Sequence, residues 1–447
     1  MKIPRPRPFQ KRVVIVGAGF AGLTLARKLD ADYFQVVLLD KNNYHQFQPL
    51  LYQVATAGLE PSSISFPLRK VFQRKKHIVV RMTEVRSIDP AQQKLQTELG
   101  ELHYDYLVLA QGAATNYFNL TQLQQHAYSM KSVSEALLLR NTLLQHYEQA
   151  LNVTNPIDRA ALLNVVIVGG GPTGVELAGA IAEMKKKILP KDYAELNFKQ
   201  MHIYLLEAAP GLLNRMSAAS GTSVKAYLEE LGVEVQTNTS VKDYDGFRVQ
   251  LSNGDCIYSK NLIWAAGVKG VVIPGIPSGS IAAGNRILVN EYNEVQNAQR
   301  VFAIGDIAAM QSSEWPKGHP QVAQVAIQQA GLLAENLRRI VARQSLVSFQ
   351  YKDRGSMATV GRNLATAEIG RVRLKGFIAW VVWMFIHLMS IIGIKNRLLI
   401  LVNWAWQYFT YDQSLRLIIQ PTSKNNTSVK HEQTIHTSNR VSVPAGM

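Results

Sequence analysis

One sequence pattern occurs twice in this chain. Val13-Val-Ile-Val-Gly-Ala-Gly-Phe-Ala-Gly returns as Val165-Val-Ile-Val-Gly-Gly-Gly-Pro-Thr-Gly, so that Gly17, Gly19 and Gly22 correspond to Gly169, Gly171 and Gly174. An uninterrupted apolar run reads as a strand buried on both faces, and Gly-x-Gly-x-x-Gly directly after it reads as the turn into a helix. In such a turn backbone amides approach a pyrophosphate whose charge the helix N-terminus stabilises, and side chains at the glycine positions would block the approach. A single match also occurs in ordinary tight βα turns. Here each copy is followed by a second strand ending in an acid, Val36 to Asp40 and Ile203 to Glu207. Each then reaches a later strand ending in a small residue and Gly, Tyr106 to Gly112 and Leu262 to Gly267. The chain therefore reads as two homologous α/β units, each a dinucleotide seat.

A strand-end acid suits a ribose hydroxyl, as Asp40 and Glu207 both can, and at Glu207 it repels a 2′-phosphate and so favours NADH over NADPH. Glu207 stands farther from its fingerprint than Asp40 does, with the extra length in Lys185-Lys-Lys-Ile-Leu-Pro-Lys. Two such seats imply hydride transfer between two dinucleotides, one of them a flavin. The first seat, with Ala18, Phe20 and Ala21 among its glycines, is assigned to FAD. The reason is Gly305-Asp306, at the end of a strand from Arg300 that must return to the first unit and whose carboxylate can accept from a ribityl chain. A helix is predicted from near Pro320 to Val341, placing its positive end toward the flavin. Another is predicted over Ser132 to Leu151.

The chain has 447 residues, 48 Lys and Arg against 32 Asp and Glu, and a single cysteine, Cys256. One cysteine forms no internal disulfide and no multi-Cys zinc site. It also excludes the flavoenzymes that need a redox cysteine pair or sulfur-carrying cysteines. Cys256 itself is expected to be a small buried apolar residue. The net charge of +16 calls for an anionic partner, whether nucleic acid, membrane or phosphorylated ligand. The basic N-terminus before Val13 lacks the features of a signal or transit segment.

These stretches are similar to a known family. The sequence resembles the type II NADH:quinone oxidoreductases, single-subunit, membrane-associated flavoproteins of the two-dinucleotide-domain superfamily, from about Arg12 to Gln420. The resemblance is carried by Tyr44-His-Gln-Phe-Gln-Pro-Leu-Leu-Tyr-Gln-Val-Ala-Thr, Gly169-Gly-Gly-Pro-Thr-Gly-Val-Glu-Leu-Ala-Gly, Ile263-Trp-Ala-Ala-Gly-Val, Phe302-Ala-Ile-Gly-Asp and Val322-Ala-Gln-Val-Ala-Ile-Gln-Gln. Arg354-Gly-Ser-Met-Ala-Thr-Val-Gly-Arg and Gly393-Ile-Lys-Asn-Arg-Leu add to it. It implies that Ala323, Gln324 and Gln328 lie beside the flavin where quinone is reduced. Four residues apart, the two glutamines share a helix face from which their amides can reach quinone carbonyls. It further implies Glu176 near the nicotinamide, in communication between the sites, and Lys41, His45 and Val85 around FAD. A carboxylate in the first helical turn would also be favoured there by the dipole alone. The family often has Thr where this chain has Gln111.

Phe377 to Ile394 is 18 residues long with only His387 and Ser390 clearly polar, enough for a minimal membrane span. Lys395 and Arg397 separate it from aromatic-rich Leu398 to Tyr411, a composition suited to the headgroup boundary. A monotopic platform, which the resemblance favours, a span or hairpin, and a buried dimer interface all fit these residues. Basic residues here and in the N-terminal arm make an anionic leaflet the expected partner, with no nucleic acid.

The fold class expected is α/β: two Rossmann-like dinucleotide-binding domains, for FAD and NADH, plus a C-terminal helical membrane-attachment region. The divisions are 1–117 and 286–350 for FAD, 118–285 for NADH with a connecting helix, 351–420 for the membrane, and a disordered 421–447. The function expected is NADH oxidation and two-electron quinone reduction through FAD without proton pumping, at the cytoplasmic face of the inner membrane, with a homodimer possible. The alternatives are an NADH-dependent flavoprotein reductase with a non-quinone acceptor and a non-catalytic NADH-sensing membrane flavoprotein.

Overall fold

The computed structural model describes residues 1–411 and 415–419; the tail expected over 421–447 lies outside them. From the N-terminus, β1 (Lys11–Val16), α1 (Phe20–Lys28), β2 (Phe34–Asp40), α2 (Leu51–Ala55), β3 (Ile78–Met82) and β4 (Tyr106–Leu109) build most of the first unit. Val13, Val14 and Ile15 are fully buried because β1 is flanked by parallel strands on both edges, Val13 facing Val36 and Tyr106. The chain leaves through β5 (Ala113–Thr115) and α3 (Val133–Ala150). A reciprocal capping box sets the start of α3: Glu135 N–H donates to Ser132 Oγ, and Glu135 Oε2 accepts from Ser132 N–H.

The second unit repeats the first. It comprises β6 (Val165–Val168), α4 (Pro172–Lys187), β7 (Ile203–Leu206), α5 (Ala218–Glu230), β8 (Glu234–Gln236) and β9 (Asn261–Trp264). Its parallel sheet has the order β8-β7-β6-β9, and Val165 faces Ile203 and Asn261 as Val13 faces Val36 and Tyr106. The chain returns through β10 (Val268–Gly270), which pairs antiparallel with β5, Ala113 opposite Gly270 and Thr115 opposite Val268. Then β11 (Val301–Ala303) adds to the edge of the first sheet beside β4, completing the order β11-β4-β1-β2-β3. In both sheets the fingerprint turn leaves the central strand where connections run off to opposite sides, the crevice in which such folds bind ligands.

Helix α6 (Ala323–Val341) packs on α1. It starts later than the Pro320 predicted, because Pro320 O accepts the Val322 N–H at 3.0 Å in a tight turn and Val322 caps the helix in extended conformation. The last part is an antiparallel sheet, β12 (Ser356–Gly361), β13 (Leu364–Ile369) and β14 (Val372–Lys375), followed by α7 (Gly376–Ser390) and α8 (Ile394–Thr410). The apolar run from Phe377 is cut at Ser390, and Gly393 turns the chain at φ +84°. Arg397 then donates to the Met389 and Ile391 carbonyls left by the ended helix. No helix among the described residues is long and apolar enough to cross a membrane, which corrects the spanning alternative.

Cys256 is exposed, contrary to expectation. It sits on a hairpin strand whose alternation turns Ile257 inward, leaving Cys256 and Tyr258 facing out.

Candidate active site

The three glycines of each fingerprint do different work. Gly17 and Gly169 have φ of +98° and +114°, and a side chain on either would meet the backbone of Ala110 or Ala265 within 2.8 Å. A Cβ on Gly22 would lie 1.9 Å from Gly17 O, and one on Gly174 would lie 1.9 Å from Gly169 O, so these permit close helix–strand packing. Gly19 and Gly171 have ordinary φ of −69° and −75°, and a Cβ on them would meet nothing within 4 Å. Neither conformation nor packing requires glycine there. The space kept open is a cradle at a helix N-terminus, fit for a pyrophosphate.

The strand-end acids are tied to these turns in the same way. Asp40 Oδ2 accepts from Ala18 N–H and Oδ1 from Asn42 N–H, both at 2.7 Å. Glu207 Oε2 accepts from Gly170 N–H at 2.6 Å and Oε1 from Ala209 N–H at 2.8 Å. Each oxygen keeps a lone pair for a ribose hydroxyl. Burial pushes the Asp40 carboxyl up, against the two backbone hydrogen bonds and Lys41. Lys41 itself is exposed. Buried His45 braces the first turn through Nδ1 to Ala18 O at 2.8 Å, its ring edge-on to Phe20, and burial lowers its pKa. Val85 is buried among Leu39 and Ile276. Gly112, at φ +73°, faces open space, and beside it Gln111 donates to Val271 O while its own Oε1 is buried without a partner.

Asp306 lies just past β11, where Ala21 and Ala326 close on Gly305. Its carboxylate accepts no hydrogen bond from the described residues, and burial raises its pKa while Lys131, Arg286 and Arg215 oppose the rise. A half-buried acceptor without a protein partner, beside an open cradle, suits a polyhydroxyl chain. Gln329, overlooked in the sequence, fixes this turn by accepting from Gly305 N–H at 2.7 Å; its Nε2 is buried without a partner. The signal available was the doubled glutamine at Gln328-Gln329.

Gln324 and Gln328 do share a face of α6, but both amides are already paired. Gln324 Nε2 donates to Gly355 O at 2.7 Å while its Oε1 accepts from Arg354 N–H at 3.0 Å. Gln328 treats Lys352 alike, with bonds of 2.9 Å and 3.0 Å. Together they clamp the extended strap that leads into β12.

Glu176 lies in the second turn of α4, whose first turn carries no acid, so the helix dipole does not account for it. It faces the C-terminal region, accepting from Trp383 Nε1 at 3.2 Å and Thr359 N–H at 3.5 Å. Burial raises its pKa to about 8, against those two hydrogen bonds. Along the same face, a Cβ on Gly179 would lie 1.5 Å from Val360 O, and Glu183 accepts from Arg362 N–H at 2.6 Å. The face Glu176-Gly179-Glu183, at helical spacing, is thus the seat of β12. Beside it a cleft is lined by Tyr52, Gln53, Glu176, Arg362, Trp383 and Trp404. Trp383 stacks on His387 at 4.0 Å; His387 meets Phe47 edge-on at 6.2 Å, and Phe47 packs on Phe20 of the first fingerprint at 5.8 Å.

Residues 11–330 match the pyridine nucleotide-disulphide oxidoreductase family, and residues 354–410 match the NDH2 C-terminal domain. The chain is 38% identical over 417 residues to the type II NADH:quinone oxidoreductase Ndh of Mycobacterium tuberculosis, covering 89% of this chain and 88% of that one. It belongs to the type II NADH:quinone oxidoreductases. A Staphylococcus aureus type II NADH:quinone oxidoreductase is 28% identical over 370 residues, 79% of this chain and 88% of that one. In fold, the chain matches the structure of NDH2 from Plasmodium falciparum in complex with NADH, with a TM-score of 0.85, 23% identity and coverage of 92% and 100%. As a type II NADH:quinone oxidoreductase the chain is a membrane-associated, FAD-dependent NADH dehydrogenase. The open cradle at Gly19, the tether at Asp40 and the unpartnered carboxylate of Asp306 fit FAD in the first unit.

Proposed function

We propose that NADH binds the second unit, FAD the first, and that quinone reaches the flavin from a bilayer on which α7 and α8 lie. The observation that carries this reading is the contact chain from Phe20 through Phe47 to His387. It brings a helix with an apolar outer face within one aromatic layer of the first fingerprint. That helix exposes Phe377, Ile378 and Phe385, and α8 beside it exposes Ile394, Val402, Trp406 and Phe409. FAD, when bound, accepts the hydride equivalent of NADH and passes two electrons to the quinone. NADH, one proton and quinone become NAD+ and quinol.

The chain's residues bind, orient and hold protons. The turns at Gly19 and Gly171 receive the two pyrophosphates, Asp40 and Glu207 the riboses, and Asp306 the ribityl chain. The first turn of α6, packed against Gly305, sets its positive end beside that carboxylate. Glu176, whose pKa burial raises to about 8, favours holding a proton between α4 and the membrane-facing α7. Gln324 and Gln328 act by clamping the strap, which sets the C-terminal region against the flavin side. The reading includes no proton pumping.

The apolar face is read as lipid-seeking and at the cytoplasmic face of the inner membrane, because Lys395 and Arg397 border it and suit an anionic leaflet. Two experiments test the reading. Anaerobic NADH should bleach the flavin and a short-chain quinone restore it; bleaching without restoration removes quinone as acceptor. Flotation should retain the protein on phosphatidylglycerol vesicles more than on phosphatidylcholine, and equal retention refutes the charge argument.

A further inference from the structure

The segment that leaves the first unit is built around the end of β9. Asn116 N–H donates to Gly267 O at 3.3 Å, and Asn116 O accepts from Trp264 Nε1 at 2.8 Å. Tyr117 stacks on the Trp264 ring at 6.2 Å and Phe118 meets it edge-on at 6.3 Å. Phe118 N–H is held by Asn116 Oδ1 at 2.9 Å. Two features of Phe118 lack a packing reason. Its backbone is left-handed at φ +50°, followed by Asn119 at +65°, a conformation disfavoured for a bulky residue. The residue is nevertheless 58% exposed. Strained backbone held firmly by its surroundings concentrates at binding sites.

The position of the ring gives it a use. Its tip lies 2.8 Å from where a Cβ of Gly267 would stand, so the glycine makes room for it. In the second sheet, β7 with Glu207 lies on one side of β6 and β9 with Gly267 on the other. A dinucleotide with its adenosine ribose at Glu207 and its pyrophosphate at Gly171 must send its remaining half past β9, toward the β5–β10 ribbon and the first unit. That half is the nicotinamide.

We propose that Phe118 is a positioning residue for hydride transfer, an apolar wall against which the nicotinamide half of NADH is held as it crosses Gly267. The proposal rests on the second unit being the NADH seat. Aromatic planes recognise planar heterocycles by stacking, and the exposed ring offers one here.

The test uses the FAD-loaded full chain in detergent. Phe118→Asn removes the ring but keeps a residue that tolerates the left-handed backbone; Phe118→Tyr keeps the ring. We expect Phe118→Asn to raise the KM for NADH roughly tenfold, as loss of one stacking contact does. Competitive inhibition by ADP-ribose, which has no nicotinamide, should stay within about twofold, and reoxidation of reduced enzyme by quinone should not change. Phe118→Tyr should behave as the unaltered chain. An unchanged NADH KM in Phe118→Asn overturns the proposal. So does an equal loss for NADH and ADP-ribose, which would mean that the ring only supports the fold of the seat. If ADP-ribose does not compete with NADH in the unaltered enzyme, the assignment of the seat itself fails, and the proposal falls with it.

Discussion

Replacing Gln324 and Gln328 by leucine distinguishes a clamp on the strap from a direct contact with quinone. Each substitution removes two hydrogen bonds between the carboxamide and the backbone of residues 352–355. A neutral hydrogen bond contributes about 0.5–1.5 kcal/mol net. Water can replace the two exposed bonds at Gln328 more easily than the pair at Gln324, of which the bond to Gly355 O is half-buried. The local cost is therefore about 1 kcal/mol at Gln328 and about 2 kcal/mol at Gln324. The direct readout is amide hydrogen exchange at Lys352 and Arg354, whose N–H groups the two glutamines hold. If local opening governs exchange, Gln328→Leu should speed it at Lys352 about fivefold, and Gln324→Leu should speed it at Arg354 about thirtyfold. Turnover with quinone should fall while turnover with ferricyanide, a soluble acceptor, is kept. Unchanged exchange in the strap together with a raised KM for quinone would refute the clamp and place both amides on the quinone itself.

Gly179→Ala should lift β12 off α4, because the new methyl would enter the Val360 carbonyl. The expected cost is about 3 kcal/mol or more, seen as early thermal unfolding and proteolysis of the C-terminal region, with NADH still bleaching the flavin. Glu176 gives a signed pH effect. Its folded pKa is raised from 4.5 to about 8, so the folded state binds the extra proton in that window and stability falls as pH rises through it. Glu176→Gln should flatten the thermal unfolding temperature over that range, and an unchanged slope would rule out Glu176 as its source. Asp306→Ala should yield protein that loses flavin on gel filtration, read from the ratio of flavin to protein absorbance; full retention would mean that Asp306 does not hold the cofactor.

What the sequence made legible is what depends on neighbours in the chain. The capped helix at Ser132 draws its structure from residues a few positions away, and the fingerprint turns and strand-end acids from one strand–turn–helix–strand unit of a few dozen residues. Glu176 was singled out only through the resemblance; its hydrogen-bond partners, Thr359 and Trp383, lie far along the chain and are brought in by the docking of β12 and α7. Helical spacing alone would have grouped it with Gly179 and Glu183. The pairing of Gln324 and Gln328 to an irregular strap carries no periodicity, so nothing marked it beforehand. Pro320 misled because its carbonyl is spent in a tight turn before the helix begins. Cys256 shows the limit of residue-type averages: strand alternation decides which face it takes, and its neighbour Ile257 took the inner one.

The antiparallel ribbon of β5 and β10 means that the second unit is inserted into the first, with entry and exit side by side. During synthesis the second unit is therefore complete before β11 and Asp306 have been made. The first sheet gains its last strand, and the flavin seat its Asp306 carboxylate, only afterwards. Cofactor uptake is consequently a late event in the life of the nascent chain, and a truncated product ending before β11 cannot pass for a finished flavoprotein.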